Sequence, residues 1–573
     1  MKLRYCLLAL VVTLCGCIQT VRFGEDPLAG ITSLVVTPTE TTVTITDLSA
    51  APTTIEYTAV GTFDDGTTHD VSAYVGWGVD NPGPGSFIGN GRYETSQAAA
   101  GHVTVRAIAG QIEANARLDV TAIVTIVDDV FPPPVGAETL FVAGTPAVAA
   151  DPTRSPLLLY PAPETRFPQG LARILFQYTQ GRPGHDAFRL RFESDVLHLT
   201  VLTGTNRWQP DSSVWALISR SHWGATVQLD IQAAASTDPG TIYTSGNVPL
   251  SFSRGEPGGA VYYWSASSTG VMRTTPAATS ATKMFPAEGD AKCAGCHAVS
   301  RDGSKMVVGY DGEKQETVTL GDGATVPNAA SGRPMGWATF SPNGDMVLVA
   351  EKGTLTLLDA TTGEPIGPDN GRVPLATKAT HPDWSPDGSY VAVALSGDVA
   401  NQEVKTASIA RIPYFEGTWG EPEILVASTS DNNYFPRWSP DGRFIAYVNA
   451  ATASKGAASA ELRMIRADGG APIRLRLANG RVGSTDDVID MANTMPAWSP
   501  SSADVAWLSF SSIRPYGAIR TTTGPSQVWI SAIDLPLAEA GVDPSSPSFW
   551  LPSQDIRVLN NNPVWAPVLL FTQ

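Results

Sequence analysis

Reactive and charged side chains are scarce in this 573-residue chain. Its five cysteines fall in two places, Cys6, Cys15 and Cys17 near the start and Cys293 and Cys296 mid-chain. That is too few and too clustered for a disulfide-built fold. Charged residues make up 16%, and Lys plus Arg number 38 against 55 Asp plus Glu, a net charge of −17. A nucleic-acid partner is excluded, because phosphate binding needs clustered Lys and Arg. The one apolar run, Tyr5 to Leu14, is too short to span a bilayer comfortably. Neither G-x-S-x-G nor H-E-x-x-H occurs, and with no hydrolase domain to supply a nucleophile the chain is expected not to be an enzyme. Sustained helical periodicity is missing beyond the N-terminal segment. With 53 Gly and 44 Pro, these absences predict an all-β, turn-dense protein of about three domains.

Lys2 and Arg4 precede the apolar run, and Leu14-Cys15-Gly16-Cys17 follows it. The stretch resembles the signal and lipobox of bacterial lipoproteins. The resemblance implies a signal peptide over 1–16, cleavage before Cys17 and lipidation of its thiol, which makes the membrane the first partner. Ile18 after that cysteine resembles lipoproteins sent to the outer membrane, on its periplasmic or surface face. Residues 17–30 then read as a tether.

Short alternating strands with turn residues between them fill 31–123. Tyr57 to Ser72, with Asp64-Asp65-Gly66 at its centre and Trp77 after it, resembles the bacterial Ig-like domain. In that reading Trp77 is the core tryptophan of the sandwich. A joint, Phe131-Pro132-Pro133-Pro134, leads into a second β-sandwich, fibronectin-like in pattern, within 124–257. Phe188, Leu190 and Phe192 alternate there with Arg189 and Arg191, a half-buried strand signal. Trp208, Trp215 and Trp223 are expected to pack it. His185, His198 and His222 are scattered and read as surface or satisfied core residues.

The remainder, 258–573, is repetitive. Ser341-Pro342-Asn343-Gly344, Ser385-Pro386-Asp387-Gly388 and Ser439-Pro440-Asp441-Gly442 are followed by Ser499-Pro500 and Trp565-Ala566-Pro567, with Ser300-Arg301-Asp302-Gly303 as the first copy. A unit of roughly 40 residues or more, each with a tight turn and an apolar strand leaving it, predicts propeller blades. Trp384, Trp438, Trp498 and Trp565 are expected to wedge between blades. The Trp-Ser-Pro-Asp-Gly phrase resembles the TolB-like six-bladed β-propeller. Residues 258–275 read as a hairpin that completes the blade begun by 558–573, which would seal the ring.

The first repeat also carries Cys293-Ala294-Gly295-Cys296-His297. C-x-x-C-H at 293–297 reads as a cytochrome c-type attachment site, the two thiols holding a covalent haem c and His297 ligating its iron. A disulfide or redox C-x-x-C is the chemical alternative. Counting back four from each repeat serine gives Cys296, Trp337, His381, Phe435, Met495 and Asn562, one per blade. His381 and Met495 could thus face the same opening as Cys296, and Met306 stands on the adjoining strand. These three are the candidate distal iron ligands.

Together these features predict an exported, lipid-anchored envelope protein that binds a protein or glycan partner through its propeller. An envelope electron-transfer haem protein is the alternative.

Overall fold

The computed structural model of the protein describes residues 26–142, 147–149, 151, 153–286, 293–310, 314–321, 324–330, 334–400, 403–480, 491–502 and 504–567. The signal segment 1–16, Cys17, most of the tether and residues 568–573 lie outside the described residues. The chain forms two compact units. One takes residues up to Val43, Pro52–Thr95 and His102–Asp119, and the other takes Thr44–Ala51, Ser96–Gly101 and everything from Val120 onward.

Among its described residues the first unit is wholly β. Ile31–Thr37 pairs antiparallel with Thr58–Phe63, which pairs with Thr68–Asp70, and Arg92–Thr95 lies between Thr54–Glu56 and Gly85–Gly89. Its fully buried aromatic is Tyr93, edge-on to Phe87. Trp77 corrects the expectation. It is half-buried, its indole N–H donates to Ser72 O, and its ring covers Tyr57 and Phe87 from one side.

In the second unit, Ala187–Glu193 is flanked antiparallel by Leu197–Thr203 and Thr226–Ala235. Phe188, Leu190 and Phe192 are buried as their alternation predicts. The region departs from a fibronectin-like sandwich in two ways. Ala122–Val127 and Leu197–Leu202 run parallel, as do Ala147–Ala149 and Ile242–Thr244, and Ser212–Arg220 is a helix. Asp211 caps that helix, accepting from the Ser213 and Val214 N–H groups at 2.8 Å. Its buried stripe of Val214, Trp215, Leu217 and Ile218 sets Trp215 against Phe167 and Phe252. Trp208 stacks on Phe176, but Trp223 is exposed beneath Arg254 and packs no core. His185 and His222 are buried on backbone carbonyls, and His198 pairs with Glu193 at the surface. This region joins the propeller through Phe167 against Phe549, Tyr160 against Tyr516, and the Tyr160 hydroxyl accepting from Trp550 N.

The rest is a six-bladed propeller. The inner strands of blades one to six are Ala294–Val299, Trp337–Phe340, Ala379–Trp384, Asn432–Trp438, Thr494–Ser502 and Asn560–Ala566. Each touches the next, and the sixth touches the first. Blade six is composite: Asn560–Ala566 pairs with Ala260–Ser265, which continues into Gly270–Thr274 and Thr282–Phe285. The outer part of that blade therefore extends past 275 to Phe285.

The repeated phrase has a defined job at each inner turn. Ser439 Oγ donates to Asp441 Oδ1 at 2.6 Å and accepts from Phe444 N at 3.0 Å. Gly442 N–H closes the turn on Ser439 O with φ of 73°, a conformation that favours glycine. Ser300, Ser341 and Ser385 repeat the hydroxyl bonds with Asp302, Asn343 and Asp387. Replacing Ser439 by Ala strands the buried Phe444 N–H, so Ser439→Ala is expected to cost about 1–3 kcal/mol. A urea melt with an unshifted midpoint would refute that role.

The tryptophans before these turns lie at blade boundaries. Trp384 packs among Leu348 and Leu355 of blade two and Val391 and Ile412 of blade three. Trp498 and Trp565 donate their indole N–H to the preceding blade, at Arg437 O and Ser509 Oγ.

Candidate functional site in the propeller channel

In four blades the residue four before the turn position breaks the inner strand. His381, Phe435, Met495 and Asn562 have φ of 51°, 52°, 53° and 53°. Pairing register is lost between Thr380 and Asp383, Tyr434 and Arg437, and Thr494 and Ala497. The sequence carries the cause: each is followed by proline, at Pro382, Pro436, Pro496 and Pro563. Proline has no N–H for the ladder and is accommodated in a sheet at a bulge. Cys296 and Trp337 lack that proline and that φ.

Ring contacts place the equivalent side chains in the channel. Trp337 of blade two and Phe435 of blade four belong to non-adjacent blades, yet their rings are 4.7 Å apart. His381 between them is 3.9 Å from Phe435 and 5.0 Å from Trp337. Blades two to four therefore fill their half of the channel with aromatic rings. On the other half the corresponding residues are smaller, Cys296, Met495 and Asn562, and a cavity of 300 Å³ remains. Cys293, Cys296, Met335, Met495, Trp264 and Trp337 line it with Asn561 and Asn562. Beside it, on the same side of the plug, a wider mouth of 570 Å³ is lined by Trp337, Tyr434, Phe435, Met495 and Ser511, with Lys455 and Glu403 as charged groups.

The opposite end holds a third cavity, of 320 Å³, walled by the turn prolines and by His297, Arg301, Asp383 and Arg437. Asp383 accepts from Trp438 N at 2.7 Å and faces Arg437 at 3.8 Å. Burial raises its carboxyl above the usual range, opposed by Arg437 and Arg301. Arg301 replaces the proline of the repeated phrase and donates to Trp384 O. Its departure from the repeat was the visible signal for this group.

The five residues of C-x-x-C-H do not share one opening. Cys293 is exposed and Cys296 is half-buried. Both line the 300 Å³ cavity. The register break between Ala294 and His297 lets residues three apart on an extended strand do so. His297 does not line that cavity. It is buried at the far-end cavity, and its Nδ1 lies 3.4 Å from both Gly295 O and Asn562 Nδ2. Burial pushes its imidazole down to about 4, so it is neutral.

Of the candidate distal ligands, Met306 is fully buried between blades six and one, among Tyr262, Val271, Met284 and Val299. His381 is enclosed by the aromatic plug, and only Met495 shares a cavity with the thiols. A covalent haem needs both thiols on one macrocycle with the following imidazole on its iron. With His297 bordering a different cavity from the two thiols, the residues in this arrangement do not fit that group.

No protein-family model matches the chain, and no curated protein matches it. Solved structures similar to it include TolB from Acinetobacter baumannii, 14% identical with a TM-score of 0.35, covering 60% of this chain and 80% of that one. A protein from Agrobacterium tumefaciens described as TolB is 17% identical with a TM-score of 0.32, covering 54% and 93%. The dihydro-heme d1 dehydrogenase NirN is 16% identical with a TM-score of 0.31, covering 52% and 54%.

Proposed function

We propose that this chain is a cell-envelope lipoprotein, anchored through Cys17, whose propeller is a binding scaffold for an envelope protein or glycan. The supporting observation is the 570 Å³ mouth over the plugged channel, where Trp337, Tyr434 and Phe435 offer apolar surface and Thr494, Ser511 and Ser526 offer hydroxyls. A concave, largely apolar site with a few polar groups and a size in the range of ligand pockets suits binding. No helix among the described residues is long and apolar enough to cross a membrane; the anchor in this reading is the lipid that the signal resemblance puts on Cys17.

Lys455 is exposed at the rim of this mouth. A bulky side chain there narrows the opening without touching the core. Retention of the protein on immobilised envelope proteins and on immobilised envelope glycans is expected to fall at least about tenfold in Lys455→Trp, a loss of roughly 1.4 kcal/mol, with an unchanged melt. Undiminished retention in the variant would remove the mouth as the binding site. Which of the two supports retains the wild type identifies the partner class.

A further inference from the structure

The small half of the channel plug is also its sulfur-rich half. Cys293, Cys296, Met335 and Met495 all border one 300 Å³ cavity, and Trp264 and Trp337 form its walls. Met335 is buried in the cluster of blades one and two against which Cys296 packs. Among the described residues no carboxylate and no imidazole lines the cavity, so these donors do not suit a hard cation such as Mg²⁺ or Ca²⁺. Among the described residues no group of three His, Cys, Asp or Glu is placed to hold a metal. The donors that complete a set here are therefore thioethers, which together with thiolates favour a soft ion.

We propose that this cavity is a Cu(I) site, with Cys293 and Cys296 as thiolate ligands and Met495 as a thioether ligand contributed from across the ring. Met335 is the fourth sulfur available to it. The assignment explains two features the scaffold reading leaves unused. The mid-chain cysteines are brought to one cavity by a register break in their strand. Met495 reaches the same cavity from blade five through its own strained bulge. Cu(I) is satisfied by a few sulfur donors, and Trp264 and Trp337 line the same cavity. Binding converts two thiols to thiolates and releases their protons, with no change in copper oxidation state.

The test uses the full chain, reduced and kept anaerobic, with Cu(I) supplied as its bicinchoninate complex. The expected result is withdrawal of one copper per chain from the complex, with a new ultraviolet thiolate-to-copper absorption and protection of both cysteines from alkylation. Cys296→Ser should abolish this. Met495→Leu, which conserves volume, should weaken binding by about tenfold or more with an unchanged melt, so the proposal is tested even if Cys296→Ser does not fold. Three results would overturn it: no copper withdrawn, wild-type affinity in Met495→Leu, or ready displacement of the copper by Zn²⁺. Envelope binding through the 570 Å³ mouth is read in a separate assay, so either proposal can fail alone.

Discussion

Trp565→Ala is expected to destabilise the whole propeller by about 3–5 kcal/mol, the range for removing a buried Trp or Phe side chain. Trp565 is 7% exposed, and its indole N–H donates to Ser509 Oγ at 2.7 Å across the boundary with blade five. It also sits opposite Val261 in the one blade assembled from distant parts of the chain. Elsewhere in the ring a cavity beside one tryptophan leaves a blade whose strands follow one another along the chain. At blade six, the same loss loosens the only pairing that ties residues 560–566 to 260–265. Detachment of that strand exposes a sheet edge on each side of the break. The melt should therefore stay a single transition and move to lower urea concentration. A loss under about 1 kcal/mol, or a separate early transition confined to blade six, would show that closure does not hold the ring.

Acid is expected to destabilise the protein through His381, and His381→Phe should remove that share. His381 is fully buried, and neither ring nitrogen has a hydrogen-bond partner among the described residues. Burial holds its imidazole well below 6.5, with Arg437 adding to the shift. Above pH 6.5 the ring is neutral folded and unfolded, and it contributes no pH dependence. Below that value the unfolded chain takes a proton that the folded chain refuses, so stability falls with pH at a slope that approaches, and does not exceed, about 1.4 kcal/mol per pH unit. His297 and His222 are also held below their ordinary value by burial, and the carboxylates add slopes of their own. The difference between wild type and His381→Phe isolates one residue. Phenylalanine is tolerated because Phe435 occupies the equivalent bulge in blade four at nearly the same φ. Parallel stability-versus-pH curves for the two proteins would rule out the effect.

Legibility followed the range of the interactions. The turn phrase could be read directly, since Ser, Asp and Gly act within five residues of one another. The helix at Ser212–Arg220 was missed because a single short amphipathic stretch lies among strands. Its signals were the Asp211 cap and the stripe Val214, Trp215, Leu217 and Ile218. Counting back from the repeat serines selected the channel residues, although the bulge that presents four of them was not foreseen. The proline following each of those four was its mark.

The C-x-x-C-H motif shows where local reading stopped. Five adjacent residues suggested one haem site, but the strand bulge and packing against blade six send the thiols to one cavity and His297 to another. Met306 was near in sequence and went to the core, whereas Met495, two hundred residues away, came to the sulfur cavity. The sequence by itself determined the all-β class, the repeat, the turn chemistry and the tryptophans between blades, because periodicity and turn hydrogen bonds are local. Only the tertiary structure decided which side chains share a cavity. That depends on ring closure, and ring closure superimposes positions separated by hundreds of residues that no local pattern relates.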